Sequence, residues 1–268
     1  MTHRLPDYSV TGDGDITVFL LHGAFGAKDY WRNQIETLAG AGYRVVAWDA
    51  PGYGFSPMPQ DFSVEGAARA LAALIDAQGT QRNVILGHSM GGMIAQRAFD
   101  YRTDRIDGLI LSATSAAFGR SDGEWQQAFV RERVAPLDAG QTIPEYAPRM
   151  LRSMMKPGAD HPAIDLLIEV VSRMREETFR AAIEAITRFD GRDILPKMAT
   201  RPVICIAGAH DLGAAPPAVM EKLAGKIGGE FVCMRDVGHF GWAEAPEAFD
   251  AIVLDFLDRR IRKVGSQA

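Results

Sequence analysis

The sequence is poor in cysteine, in positive charge and in long apolar runs. With 29 lysines and arginines against 34 aspartates and glutamates, its net charge of −5 argues against nucleic-acid binding, which needs a basic surface. The two cysteines, Cys205 and Cys233, lie in separate strand-like runs, so we predict small core residues and not a disulfide or metal pair. Because no stretch resembles a membrane span or a signal peptide, we expect a cytoplasmic protein without membrane contact.

Apolar, β-branched runs alternate with amphipathic helical segments through the first part of the chain. Residues 1–15 are predicted to be a polar tail, and strands are predicted at 16–21, 44–48, 83–87 and 106–112. Such alternation predicts an α/β fold with a mostly parallel central sheet flanked by helices. From 116 to 190 only helical patterns occur, and strands resume at 202–207 and 230–234. We predict an α/β core, residues 1–115 and 191–268, with a helical cap, residues 116–190, inserted between two strands.

The strand at 83–87 runs directly into the pattern Gly87-His88-Ser89-Met90-Gly91, and a helical segment follows. A strand, a sharp turn and a helix around G-x-S-x-G predict a nucleophile elbow, in which the serine hydroxyl projects from the end of the sheet. The alternative is a glycine-rich turn that carries a serine by chance. The surrounding strand and helix favour the elbow, and Ser89 is therefore the candidate nucleophile.

A serine hydroxyl needs a general base that is itself oriented by a carboxylate. Asp211 follows the predicted strand 202–207, and His239 follows the strand 230–234. Since ligands gather at the carboxyl ends of parallel strands, we expect Ser89, Asp211 and His239 at one edge of the sheet, as nucleophile, orienting acid and base. Asp236 is a rival acid, but its side chain would have to fold back to reach His239.

These motifs together resemble the α/β-hydrolase superfamily over essentially the whole chain. The segments that carry the resemblance are His22-Gly23, Asp49–Ser56, Gly87–Gly91, Gly208–Asp211 and Gly238–Phe240. The resemblance implies an oxyanion hole made by the backbone N–H groups of Ala24 and Met90. It extends to bacterial esterases, enol-lactonases and carbon–carbon bond hydrolases. Members of the superfamily often carry one or two further strands at the amino end. The short tail leaves open whether such strands are present here.

The remaining polar residues are assigned structural roles. We expect His22 to brace its loop, His88 to pack beside the nucleophile, and Asp49 to stabilise a turn. His210 and His161 are predicted to be a turn residue and a solvated residue of the cap. No metal, P-loop or dinucleotide motif is present, so neither a metal nor a cofactor is expected.

The resulting hypothesis is a serine esterase or lactonase that acts on a small, mostly apolar acyl substrate through an acyl-enzyme. A carbon–carbon bond hydrolase and a hydrolase-like ligand receptor are the alternatives, and homo-oligomerisation stays open. Methionines of the cap are expected to fill its core. A carboxylated lactone is an option if cap arginines enter the pocket, but most of these arginines are expected to be solvated surface charges. The candidates are Arg149, Arg152, Arg173 and Arg188.

Overall fold

The computed structural model describes residues 5–118 and 123–263. Its centre is a seven-stranded sheet in the order β1-β3-β2-β4-β5-β6-β7, in which only β1 is antiparallel to its neighbour. The mostly parallel α/β fold is therefore confirmed. The strands are β1 (Tyr8–Thr11), β2 (Ile16–Leu21), β3 (Arg44–Trp48), β4 (Arg82–His88), β5 (Gly108–Ser112), β6 (Val203–Gly208) and β7 (Glu230–Met234).

Helices connect nearly all of the parallel strands. They are α1 (Arg32–Gly40), α2 (Val64–Gln78), α3 (Met90–Tyr101), α4 (Glu124–Asp138), α5 (Ile143–Ser153), α6 (Pro162–Ser172), α7 (Glu176–Thr187), α8 (Leu195–Met198), α9 (Pro217–Ile227), α10 (Gly241–Glu244) and α11 (Pro246–Leu257). A 3-10 turn, Lys28–Trp31, precedes α1, and a π-helical turn, Asp258–Arg262, follows α11. The start of α2 is fixed by Ser63, whose hydroxyl accepts the N–H of Gly66 at 3.1 Å.

The amino end contains a strand that the polar-tail prediction missed. Tyr8–Thr11 pairs antiparallel with β3, with Tyr8 opposite Trp48. This strand lies at the edge of the sheet, where one long side of the backbone and much of each side chain stay exposed. Its polar composition follows from that exposure, since an edge strand does not need the apolar run of a central one.

The two cysteines differ in environment. Cys205 is buried in β6, as predicted, whereas Cys233 in β7 is exposed, so its prediction as a core residue is wrong. The reason is that β7 closes the sheet as an edge strand and most of its side chains are half-buried or exposed. Both cysteines are free thiols.

The segment 116–190, which we name the helical insertion, connects β5 to β6. Its described residues form α4 to α7 and contain no strand, only an isolated bridge between Ala117 and Asp190 at the two ends of the segment. In this insertion α4 packs on α7 and α5 packs on α6, and α6 also contacts α10 of the core. Across residues 5–118 and 123–263, no helix is long and apolar enough to cross a membrane.

Candidate active site

Ser89 lies in a strained turn between β4 and α3. Its φ of 53° and ψ of −119° fall in a region that side-chain-bearing residues rarely adopt. The turn is closed at both ends: the Ser89 N–H donates to the Ser112 carbonyl at 2.8 Å, and the Thr114 hydroxyl donates to the Ser89 carbonyl at 2.7 Å. A Cβ at Gly87 would collide with the Gly91 backbone, which explains why glycine occupies the turn.

The loop after β2 lies beside this turn, because β2 and β4 are neighbours with Leu21 opposite Gly87. The loop holds the Ala24 N–H, for which the structure gives no hydrogen-bond acceptor. Met90 is the first residue of α3, so its N–H has no intrahelical acceptor either. Two backbone donors are thus available next to Ser89, where a helix N-terminus also favours negative charge.

Buried side chains brace the loop after β2. The Nε2 atom of His22 accepts the Ala50 N–H at 3.0 Å, so its Nδ1 carries the proton and donates to the Gly23 carbonyl at 2.8 Å. Burial lowers the pKa of His22, which keeps the ring neutral. Tyr53 donates its hydroxyl to the Ala24 carbonyl at 3.1 Å. His22 therefore holds the loop in place, with both ring nitrogens bonded to backbone.

Asp211 and His239 form a buried pair at the ends of β6 and β7. The Nδ1 atom of His239 lies 2.6 Å from Oδ2 of Asp211, and each side chain is 2% exposed. Asp211 also accepts the N–H groups of Ala214 and Ala215, at 3.0 and 3.1 Å. Burial alone would raise the pKa of Asp211, but the attraction and hydrogen bond of His239, helped by the two N–H donors, hold it below its usual range.

The rival acid lies elsewhere. Asp236 is 82% exposed and forms an ion pair with Lys156 at 2.8 Å. Its carboxylate is therefore engaged at the surface, and the structure pairs His239 with Asp211 instead.

A carboxylate that sequence reasoning missed holds the His239 loop. Glu244, in α10, accepts the N–H of Gly238 at 2.8 Å and that of Phe240 at 3.0 Å, which flank His239 on both sides. It also accepts the N–H of Lys156, from the helical insertion, at 2.8 Å. The His239 N–H donates to the carbonyl of Met154 at 2.8 Å, so the insertion bonds directly to this loop.

Ser89 and His239 line one small cavity of about 30 Å³. Neither the Ser89 hydroxyl nor Nε2 of His239 forms a hydrogen bond with any part of the chain that the structure describes. The lining is mostly apolar and comes from both the core and the insertion: Ala24, Phe25, Met93, Ala113, Thr114, Ser115, Phe118, Phe129, Arg133, Met154, Ile186 and Ala214. Met154, predicted as core filler, therefore faces the cavity.

The candidate pocket arginines of the sequence are exposed and do not line this cavity, which agrees with the expectation that most of them are surface charges. Arg152 and Arg188 pair with Asp165 and Glu184, respectively. Arg133, which the sequence did not single out, lines the cavity instead.

Three other histidines have structural surroundings. His88 is buried against the ring of His239, with 4.8 Å between centroids, and its Nε2 has no partner. His161 caps α6 by accepting the Ala163 N–H at 3.1 Å, so it has a structural role that the prediction of a solvated residue missed. His210 is exposed, and its N–H donates to the Val237 carbonyl. Within the described part of the chain, no group of three or more potential ligands could hold a metal ion.

The chain matches known proteins over most of its length. A model of the alpha/beta hydrolase family covers residues 18–252. The solved structure of a thermophilic esterase from Thermogutta terrifontis is 30% identical, with a TM-score of 0.82 and coverage of 94% of this chain and 93% of the other. A pimeloyl-(acyl-carrier protein) methyl ester esterase of Neisseria meningitidis is 28% identical over 90% of this chain and 76% of its own length. A 2-hydroxy-6-oxononadienedioate/2-hydroxy-6-oxononatrienedioate hydrolase of Dechloromonas aromatica is 29% identical over 93% and 89%, respectively.

Proposed function

Because the chain belongs to the alpha/beta hydrolase family, we propose that it is a serine hydrolase that cleaves the ester or lactone bond of a small acyl compound. Ser89 is the nucleophile, His239 the general base and Asp211 the orienting acid. Ala24 and Met90 supply the two N–H groups of the oxyanion hole. The helical insertion acts as a cap over these residues.

One observation carries this proposal. His239, which forms a buried hydrogen bond of 2.6 Å with Asp211, lines the same cavity as Ser89. The Asp211 carboxylate accepts the proton on Nδ1 of His239, which leaves Nε2 as the basic nitrogen. Among the described residues, neither that nitrogen nor the Ser89 hydroxyl has another hydrogen-bond partner. Both groups are therefore available to a substrate and to each other, and such contacts often tighten only when substrate binds.

The reaction follows from these positions. Nε2 of His239 takes the Ser89 proton as the oxygen attacks the carbonyl carbon, and the two N–H groups stabilise the developing oxyanion. The alcohol leaves with the proton of the imidazolium, and an acyl-enzyme remains. Water then attacks the acyl carbon with His239 again acting as base, which releases the acid and restores Ser89.

The cavity lining supports a mainly apolar substrate. Aromatic and aliphatic side chains from the insertion, such as Phe118, Phe129 and Ile186, face the strained turn of Ser89. The cavity is small, about 30 Å³, so we expect side chains of the insertion to adjust when an acyl compound enters. Burying an acyl chain there removes apolar surface from water, at roughly 25 cal/mol per Å².

The ester bond is favoured over an amide because the lining contains no acid beyond His239 to protonate a poor leaving group. Carbon–carbon cleavage remains the alternative, since the relative from Dechloromonas aromatica is a hydrolase of a 2-hydroxy-6-oxo dienedioate. The same nucleophile, base and oxyanion donors serve either reaction. The choice of bond therefore rests on substrate tests.

The test is a panel of alkyl esters, lactones, vinylogous diketones and anilides, assayed with the wild type and with Ser89→Ala. We expect Ser89-dependent turnover of esters or lactones and labelling of the wild type alone by a fluorophosphonate probe. Both proteins should have the same circular dichroism spectrum, because the substitution removes one oxygen from a turn held by its backbone. Turnover confined to diketones would change the assigned bond, and labelling that persists in Ser89→Ala would refute the assigned nucleophile.

A further inference from the structure

Arg133 brings a positive charge into a cavity that is otherwise almost apolar. It lies on α4 of the helical insertion, is half-buried, and shares the cavity lining with Ser89 and His239. An arginine in such a place has lost part of its hydration, which is costly unless another group replaces the water. The group that replaces this water therefore indicates which ligand the cavity binds.

The protein supplies very little to this guanidinium. Its carbon lies 3.5 Å from the centre of the Phe129 ring, so the planar group stacks on the aromatic face one helical turn earlier. Within residues 5–118 and 123–263 its one hydrogen bond, from Nη1 to the Phe129 carbonyl, is a long one of 3.5 Å. No carboxylate among the described residues forms an ion pair with it. Most of the five N–H donors of Arg133 therefore remain available.

The absence of a carboxylate partner at Arg133 is unusual among the described arginines of the insertion that are buried or paired. Five of them pair with carboxylates, namely Arg152, Arg173, Arg175, Arg180 and Arg188. Arg131 and Arg149 form no recorded ion pair, but both are exposed and keep their water. Arg133 alone among the described arginines of this segment lines the Ser89 cavity without a carboxylate partner.

From this arrangement we propose that Arg133 binds a carboxylate of the substrate, so that the substrates are esters or lactones that carry a free carboxylate away from the scissile bond. This inference rests on the proposed function, because it places the reacting carbonyl at Ser89. Phe129 covers one face of the guanidinium, and the N–H donors of the group lie along its edge. That edge matches the two oxygens of a carboxylate, with two parallel hydrogen bonds.

The electrostatics of the site agree with an anionic ligand. Burial lowers the pKa of Arg133, against weaker attraction from Tyr146 and Glu132, and a carboxylate in the cavity would reverse that shift. Guanidinium stays charged even so. The carboxylate of Asp211 is occupied by His239 and two backbone N–H groups, so it does not compete for Arg133.

The decisive comparison uses matched esters that differ only in charge. Mono-para-nitrophenyl glutarate and para-nitrophenyl pentanoate place a carboxylate or a methyl group on the acyl chain. A phenyl acetate with or without a para carboxylate tests the leaving-group side. For at least one pair, we expect the wild type to favour the carboxylated member by roughly 10- to 100-fold in kcat/KM, the value of one charge-assisted hydrogen-bonded pair.

The variants are Arg133→Gln, Arg133→Lys and, as a matched control on the same helix, Arg131→Gln. Arg133→Gln should lower kcat/KM for the carboxylated ester at least roughly tenfold more than for its neutral partner, so that the preference is lost. Arg133→Lys should keep part of it, because the charge remains but the fork is lost. Arg131→Gln should behave as the wild type. The circular dichroism spectrum and Tm of Arg133→Gln, compared with those of Arg131→Gln, show whether the variant is folded.

Two outcomes separate the inference from the proposed function. Equal turnover of charged and neutral esters by the wild type, or an equal loss of both in Arg133→Gln, overturns the role of Arg133 and leaves the serine hydrolase intact. If no ester is cleaved, glutarate binding to the Ser89→Ala protein, measured by calorimetry, still tests the site. Binding that Arg133→Gln weakens at least tenfold supports the carboxylate subsite, and binding that is absent or independent of Arg133 refutes it.

Discussion

Replacement of Glu244 should affect both stability and catalysis, although its carboxylate does not touch the cavity. Its two oxygens accept three backbone N–H groups, from Gly238, Phe240 and Lys156, all at 2.8 to 3.0 Å. Two of these donors flank His239 and the third belongs to the helical insertion. Glu244→Ala leaves three partly buried donors without their acceptor, and Glu244→Gln turns an amide N–H₂ toward at least one of them.

The expected loss follows from the number of bonds. A hydrogen bond to a charged group contributes roughly 1.5–3 kcal/mol, but the three share one carboxylate and water can reach some donors, so we expect about 2–4 kcal/mol for Glu244→Ala. For a domain of this size that loss lowers Tm by about 5–15 °C. A displacement of His239 by about 1 Å would reduce kcat by up to roughly 100-fold.

The assay measures urea unfolding and Tm together with kcat and KM on the ester identified above. Glu247→Ala is the matched control, because that carboxylate is 83% exposed and its nearest partner, His161 at 3.7 Å, is itself partly exposed. The control should stay within about 0.5 kcal/mol of the wild type. If Glu244→Ala unfolds at the same urea concentration as Glu247→Ala, the three hydrogen bonds do not hold the loop and the reasoning is wrong.

Further predictions concern the acid and the insertion. Asp211→Asn should preserve the fold but lower kcat by up to about 10,000-fold, because the amide favours the wrong imidazole tautomer. Asp236→Asn should have little effect on kcat. Steady-state kinetics that reverse this order would reassign the acid. Since the folded-state pKa of Asp211 is lowered, its contribution to stability is present above the unfolded pKa near ~3.9 and is lost as pH falls through the folded value. The stability difference between wild type and Asp211→Asn should therefore begin to shrink below about pH 4 and vanish only when the pH is below the folded-state pKa of Asp211. Exchange of the helical insertion for that of a related esterase should transfer substrate preference; an unchanged profile in the ester panel would place specificity in the core loops.

Much of the site could be predicted because it depends on short-range patterns. A buried strand that runs into G-x-S-x-G and a helix specifies the turn at Ser89 without knowledge of the rest of the fold. Parallel pairing then brings the ends of β6 and β7 together, so that Asp211 and His239 meet although 28 positions separate them. Their catalytic roles stay predictions.

Other features depend on packing that no local pattern encodes. Arg131, Glu132 and Arg133 are consecutive charged residues of α4, and only the contact of α4 with α7 decides which one faces the cavity. The edge strand at Tyr8–Thr11 is polar because its partner, β3, lies on one side only. In the sequence, nothing distinguishes Glu244 from an ordinary surface acid. In the structure, α10 places its carboxylate over the backbone of the His239 loop.

The proposed cap is hydrogen-bonded directly to the loop that carries the proposed base, His239. The Met154 carbonyl accepts the His239 N–H, and the Lys156 N–H shares the Glu244 carboxylate with the loop of His239. A rigid-body movement of the whole insertion would break both contacts and displace His239. We therefore expect 154–156 to stay in place when substrate binds, because these two hydrogen bonds tie the segment to the loop that positions His239.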